Sequence, residues 1–318
     1  MTVVAAIGAP IHASTTWSRR LSDRLVTHPA LLTLLLLTPP LLWLGIVYLG
    51  SLFTLLMQSF FHVDEFSGVV VEEFGLKSYG ELLTTRANLD IIWRTVGMAA
   101  CVTAGCAVIA FPIAYYMARY TSGKVKAAFY LAIMMPLWSS YLVKVYAWKL
   151  ILAREGIVSW VVDKLHLTWL LEGFLALPIL GGASLSTSYT GMFLVFTYIW
   201  LPFMVLPIQA ALERVPRTLI EASHDLGADG RRTFRHVILP LALPGIAAGS
   251  IFTFSLTLGD YIIPYIIGSS RIFIGQAVYL HQGTAGNVPL AAAFSIVPIA
   301  IMGIYLAVAK RFGAFEAL

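Results

Sequence analysis

In 318 residues the chain carries 59% hydrophobic and only 12% charged side chains, with a mean hydropathy of +0.83. Soluble domains run at about 45–50% apolar and about 25% charged, so a water-soluble fold is excluded and the surplus apolar surface must face lipid. The net charge of +5 would suit nucleic acid, but the placement of the basic residues argues otherwise.

A membrane-spanning helix needs about 20 mostly apolar residues. Six stretches qualify, at 30–60, 91–118, 128–152, 189–211, 241–267 and 290–309, and they predict an all-α, polytopic membrane protein with about six transmembrane helices. The domain reading is a cytoplasmic N-terminal segment (1–29), a transmembrane domain (30–311) and a short cytoplasmic tail (312–318). The first stretch is far longer than the apolar region of a signal peptide, about 7–15 residues, and no small-residue cleavage site follows it promptly. It is expected to remain as an anchor. The second stretch holds both cysteines, Cys101 and Cys106. Five residues apart, they point about 140° from each other on a helix, so they form neither a disulfide nor a metal pair and read as small packing residues.

Lys and Arg in the connections set the orientation. The N-terminus, the loop 119–127, the segment 212–240 and the C-terminus together hold thirteen, among them Arg19, Lys124, Arg231 and Arg311. The opposite connections hold five, and three more (Arg94, Lys144, Lys149) fall within the stretches. Both termini are therefore expected in the cytoplasm, and the basic charge is this asymmetry rather than a nucleic-acid surface. Asp64, Glu65, Glu72, Glu73, Glu81 and Asp90 make the first outer connection acidic. It reads either as a solvated loop or as a docking rim or electrostatic funnel. The outer region 153–187 opens with a short amphipathic stretch, Ile157 to Leu165.

The segment 212–240 is the most informative. Pro216 suits a first helical position and Gly227 a left-handed stop after it. Asp229 suits the N-cap of a second helix, and Pro240 is expected to break or bend the chain as it enters the fifth stretch. Leu219, Ala222, Ser223 and Leu226 share one face of the first helix, with small residues that permit a close approach. A plain loop needs no such compact, capped helix pair.

Glu221-Ala222-Ser223, Gly227 six residues after the glutamate, then Phe234, Val237, Leu239 and Pro240 resemble the EAA motif of permeases in bacterial binding-protein-dependent ABC importers. The one departure is Ser223 where alanine is usual. Three further runs, Trp200 to Pro207, Leu241 to Ile246 and Met135 to Tyr141, are similar to the spermidine/putrescine-type members, and the likeness covers the chain from about Thr38 onward. The resemblance implies the type I ABC importer permease fold in the bacterial inner membrane. It also implies that Glu221, Ala222, Ser223, Gly227, Phe234 and Pro240 couple to ATPase subunits. The implied assembly is a second homologous permease, two ATPases and a periplasmic substrate-binding protein. ATP and Mg would be bound by the ATPases, with no cofactor in this chain. The implied substrate is putrescine or spermidine, with gamma-aminobutyrate or another small amino compound as the alternative.

Ionisable residues within spans are costly and mark candidate functional sites. Counted along straight helices, Asp260 and Lys144 lie roughly 30 Å and 24 Å from the cytoplasmic face. They read either as a mutually neutralising pair or, for Asp260, as a carboxylate that meets a cation in transit. Trp138, Tyr141, Trp200 and Tyr261 lie near that level, beside Pro136, Pro202, Pro207 and Pro264. They read either as ordinary interface aromatics or as a path for an ammonium group, which binds over aromatic faces. Arg94 is expected to reach for head groups. The seven histidines show no metal-ligand spacing, so no metal site is expected. No Gly-rich Lys-Ser/Thr phosphate loop is present, so ATP hydrolysis by that route is not expected of this chain. A stand-alone secondary transporter would predict matching interrupted helices and leave the segment 212–240 unexplained. A membrane-embedded hydrolase would need a catalytic constellation that the sequence does not display.

Overall fold

The computed structural model describes residues 29–311 except Glu65 and Ile179. The N-terminal segment with Arg19, Arg20 and Arg24, and the tail 312–318, lie outside the described residues. The first apolar stretch is one helical run: α1 (Pro29–Leu42), a π-helical turn (Trp43–Leu49) and α2 (Gly50–Gln58). The widened turn follows Pro39 and Pro40, which supply no N–H to the helical ladder. Its side chains, Leu36, Trp43 and Ile46 among them, are exposed, as lipid-facing residues are.

From residue 58 the chain forms a second unit. The strands β1 (His62–Val63) and β2 (Val70–Val71) pair antiparallel, His62 opposite Val71. They are the only strands among the described residues. Then come α3 (Lys77–Thr84), α4 (Arg86–Tyr120), α5 (Gly123–Trp138), α6 (Tyr141–Ile151), α7 (Ile157–Lys164) and α8 (Thr168–Leu175). A 3-10 turn at Leu185–Thr187 leads into α9 (Tyr189–Glu213), followed by α10 (Arg217–Asp225) and α11 (Gly230–Thr233). After a second π turn (Phe234–Ile238) come α12 (Leu239–Gly259), α13 (Ile262–Ile266), α14 (Ile274–Gln282) and α15 (Val288–Lys310). Five helical runs are long and apolar enough to cross a membrane, or six if the bent pair α5–α6 counts as one. The all-α expectation of about six spans is met.

Two of the six stretches differ from the straight helices expected. The third bends by 95° between α5 and α6, because Ser139 and Ser140 adopt extended backbone angles. The fifth starts earlier and stops earlier, running helical from Gly230 to Gly259. Asp260 is extended, and Tyr261 opens the short α13. Pro240 does not break the chain: the π turn just before it widens the helix where the proline lacks its N–H.

The centre of the second unit is α9, packed between α4 and α12. Met192, Val195, Met204, Val205 and Ile208 on α9 are fully buried, as are Val102, Cys106, Ala110 and Ala114 on α4. The α4 residues recur every fourth position, the spacing of one helical face. On α12, a Cβ at Gly245 would fall 2.6 Å from the Pro207 carbonyl, and one at Gly249 would fall 2.8 Å from Met204 Sδ. Glycine alone lets these two helices touch backbone to backbone, as small-xxx-small pairs do between membrane helices.

Candidate functional site

Two arrangements stand out. The first is the helix pair between α9 and α12. Pro216 is the N-cap residue of α10 rather than its first helical residue. The end of α10 is closed by Gly227 at φ +80°. The Gly227 N–H donates to the His224 carbonyl (2.8 Å) and the Ala228 N–H to the Ser223 carbonyl (3.0 Å). These two bonds satisfy carbonyls that a helix end leaves orphaned. Asp229 then caps the next turn, accepting from Arg232 N–H at 2.8 Å.

Ser223 is half-buried and shares a 3.0 Å hydrogen bond with the hydroxyl of buried Thr233, which ties α10 to α11. Glu221, Ala222 and Leu226 on α10 are exposed, Leu226 by 88%. Phe234 reaches back to meet Phe111 of α4 edge-on at 5.5 Å. Replacing Ser223 with alanine removes one bond, about 1 kcal/mol, while the capped turn at Gly227 stays intact. We expect Ser223→Ala to speed amide exchange in residues 217–238 several-fold and to reduce transport only modestly. Unchanged exchange would show that the hydroxyl bond does not hold the pair.

The second arrangement lies at the helix breaks. The Tyr141 hydroxyl, at the start of α6, donates to the Asp260 carboxylate. The other Asp260 oxygen accepts from Ile263 N–H at 2.9 Å, which starts α13. The Tyr141 ring stacks on Trp200 of α9, centroids 6.0 Å apart and 18° between planes, and Phe203 and Phe252 extend the aromatic row. Trp200 is buried, and its indole N–H has no partner among the described residues.

Of the two readings of Asp260, the pairing with Lys144 is not formed. Lys144 Nζ instead donates to the Pro136 carbonyl at 2.6 Å, and the Ser139 hydroxyl donates to the same carbonyl at 3.0 Å. A cation and a hydroxyl thus close the C-terminal end of α5, where the helix dipole is negative. The bend explains the difference, since a length counted along one straight axis misplaces Lys144.

Of the aromatic candidates, Tyr141, Trp200 and Asp260 come together. Tyr261 stacks instead on Tyr279 of α14 (5.3 Å, 11°). Trp138 is 73% exposed and makes no ring contact among the described residues. Arg94 turns inward, donating to the Ile272 carbonyl at 2.8 Å.

Elsewhere, Asp64 accepts from the N–H groups of Phe66 and Ser67 (2.7 and 3.1 Å). These bonds hold its carboxyl below the ordinary carboxylate range and make the turn depend on the ionised form. With Lys77 and Glu81 it borders an open cavity of about 740 Å³.

One group escaped the sequence reading. Buried Gln209 donates to the Tyr130 hydroxyl and to Glu213 Oε1 (2.6 Å), and Lys126 Nζ pairs with the same oxygen at 2.5 Å. This network binds α5 to the last turn of α9, just before α10. Its only sequence signal was a glutamine inside an apolar stretch.

A helical membrane domain with a capped helix pair between two of its spans is the architecture of an importer permease. The chain belongs to the family of binding-protein-dependent transport system inner membrane components, whose model matches residues 110–313. It is 58% identical over 291 residues to the inner membrane ABC transporter permease protein YdcU of Escherichia coli (strain K12), covering 92% of this chain and 93% of that protein. It is 29% identical over 239 residues to the spermidine/putrescine transport system permease protein PotB of the same strain, covering 75% of this chain and 82% of PotB. Among solved structures, a bacterial ABC transporter involved in the import of the acidic polysaccharide alginate superimposes with a TM-score of 0.64. It is 16% identical and covers 92% of this chain and 99% of that one. The MetNI methionine ABC transporter gives a TM-score of 0.50 at 17% identity, covering 72% and 95%. At such identities the structural likeness establishes the fold. The protein is thus a multi-pass inner-membrane permease subunit of an ABC importer.

Proposed function

We propose that this permease forms the path for a small cationic amine, putrescine or spermidine. The observation that carries the reading is the Tyr141–Asp260–Trp200 group, a carboxylate beside stacked aromatic rings where two helices are interrupted. A carboxylate neutralises an ammonium, and aromatic faces bind its alkyl-substituted cation. The name of PotB, spermidine/putrescine transport permease, supports the same substrate class. With Lys144 engaged at the end of α5, no free cation among the described residues at this group awaits the carboxylate of gamma-aminobutyrate.

In this reading α10 and α11 are the coupling element, with Glu221, Ala222, Ser223 and Gly227 against the ATPase surface and Phe234 and Pro240 transmitting to α4 and α12. Both termini are cytoplasmic. A second homologous permease completes the path, two ATPases bind ATP and its magnesium, and this chain supplies no hydrolytic residue. ATP binding closes the ATPases, α10 and α11 move with them, and the spans rock to open the cavity toward the binding protein.

The test is reconstitution of the complete importer with its binding protein in proteoliposomes. Putrescine or spermidine should stimulate ATP hydrolysis and accumulate. Stimulation by a neutral sugar or an amino acid, with none by the amines, would reject the substrate class and leave the permease assignment standing.

A further inference from the structure

Away from the group around Asp260 lies an apolar groove of about 880 Å³ on the face of α4 and α9. Gly97, Cys101 and Val108 of α4 line it, with Phe193 of α9 and Phe174 of α8. It is charged at one end only, where Arg94 and Arg271 line it, and no carboxylate does. Arg94 spends one N–H group on the Ile272 carbonyl, which leaves further guanidinium donors. Arg271 is exposed, and among the described residues neither guanidinium meets an acid. Tyr189 lines the same groove, is 9% exposed, and has a hydroxyl without a partner among the described residues. Its ring contacts Phe273, two residues beyond Arg271, which places it at the charged end.

We propose that this groove binds one anionic phospholipid, its phosphate at Arg94 and Arg271 and an acyl chain along α4. Charge complementarity selects the occupant, because two cations without an acid beside them suit a phosphate with ester oxygens, whereas a helix from another protein would meet them with apolar side chains. The dimensions agree. Arg94 and Ile109 both line the groove, and fifteen residues of helix span about 22 Å, more than half of the ~30 Å hydrocarbon core. Each arginine near the membrane surface contributes about fivefold to anionic-lipid affinity.

The experiment is native mass spectrometry of the intact importer, titrated with phosphatidylglycerol or phosphatidylcholine. Phosphatidylglycerol should be retained over phosphatidylcholine by more than tenfold. Arg271→Gln should cost about fivefold, while Arg94→Lys, which keeps the charge, should cost less. Gly97→Leu provides a filled groove, since a Cβ there meets nothing within 4 Å and leucine favours the helix. It should remove the bound lipid at normal abundance.

Cys101, which lines the groove, is exposed and Cys106 is buried, so labelling by a maleimide reads occupancy at one thiol. Phosphatidylglycerol should slow it, and phosphatidylcholine should not. Equal retention of the two lipids, or an unchanged lipid count in Gly97→Leu, would overturn the proposal. So would protection of Cys101 that persists in the delipidated complex, because a neighbouring subunit would then fill the groove.

Discussion

Gly227→Val is expected to abolish transport while the protein inserts and accumulates normally. Gly227 holds φ +80°, a conformation costing an L-residue about 1–2 kcal/mol and most for a β-branched one. A Cβ there meets nothing within 4 Å, so the damage is confined to the turn. The two bonds that close α10 would lengthen, and α10 would tilt against α11. No buried residue of α4, α9 or α12 is touched, which is why abundance should hold. Normal uptake at wild-type abundance would remove α10 from any coupling role. Glu221→Lys tests the same element differently, through a charge on its exposed face, and should also abolish transport.

Asp260→Asn should lower amine uptake at least tenfold with abundance unchanged. Asparagine retains an oxygen to accept from Ile263 N–H, the bond that starts α13, so the local fold survives. What disappears is the charge, and losing one partner of a desolvated charge pair costs about 2–5 kcal/mol, where 1.4 kcal/mol is a factor of ten. Tyr141→Phe, which removes only the hydroxyl donor, should cost a few-fold. The double variant should match Asp260→Asn alone, since the two side chains act through one bond. Full uptake by Asp260→Asn, or a loss that merely follows abundance, would sink the substrate-contact reading. Lys144→Met is expected to act at the end of α5, where its ammonium sits, and to leave the uptake of Asp260→Asn unimproved.

Apolar length was enough to find the spans, because the bilayer imposes one dimension on every crossing helix. The capped turn was equally legible: Gly227 and Asp229 take the backbone roles their residue types favour, and those roles depend on a few neighbouring residues. The breaks were not legible. Ser139-Ser140 lies inside an apolar run, and Asp260 follows one, so hydropathy passes through both while the backbone turns. The pairing of Asp260 with Tyr141 rather than Lys144 follows from that turn. Gly245 and Gly249, four apart, carried a signal for helix contact that apolar counting overlooks. The Lys126–Glu213–Gln209 network joins residues more than 80 positions apart, and no local pattern announces it.

The glycine contact between α9 and α12 has a mechanical consequence. With backbones touching at Gly245 and Gly249, no layer of side chains is left to deform between the two helices. From Gly230 the helical run reaches Gly259 in thirty residues, about 45 Å, and Asp260 stands at its far tip. The contact at Gly245 and Gly249 lies near the middle of that length, where a pivot would sit. In the proposed coupling role, a displacement at Gly230 would reach Asp260 reversed in direction. Gly249→Ala, which would place a methyl group 2.8 Å from Met204 Sδ, is therefore expected to lower uptake at unchanged abundance.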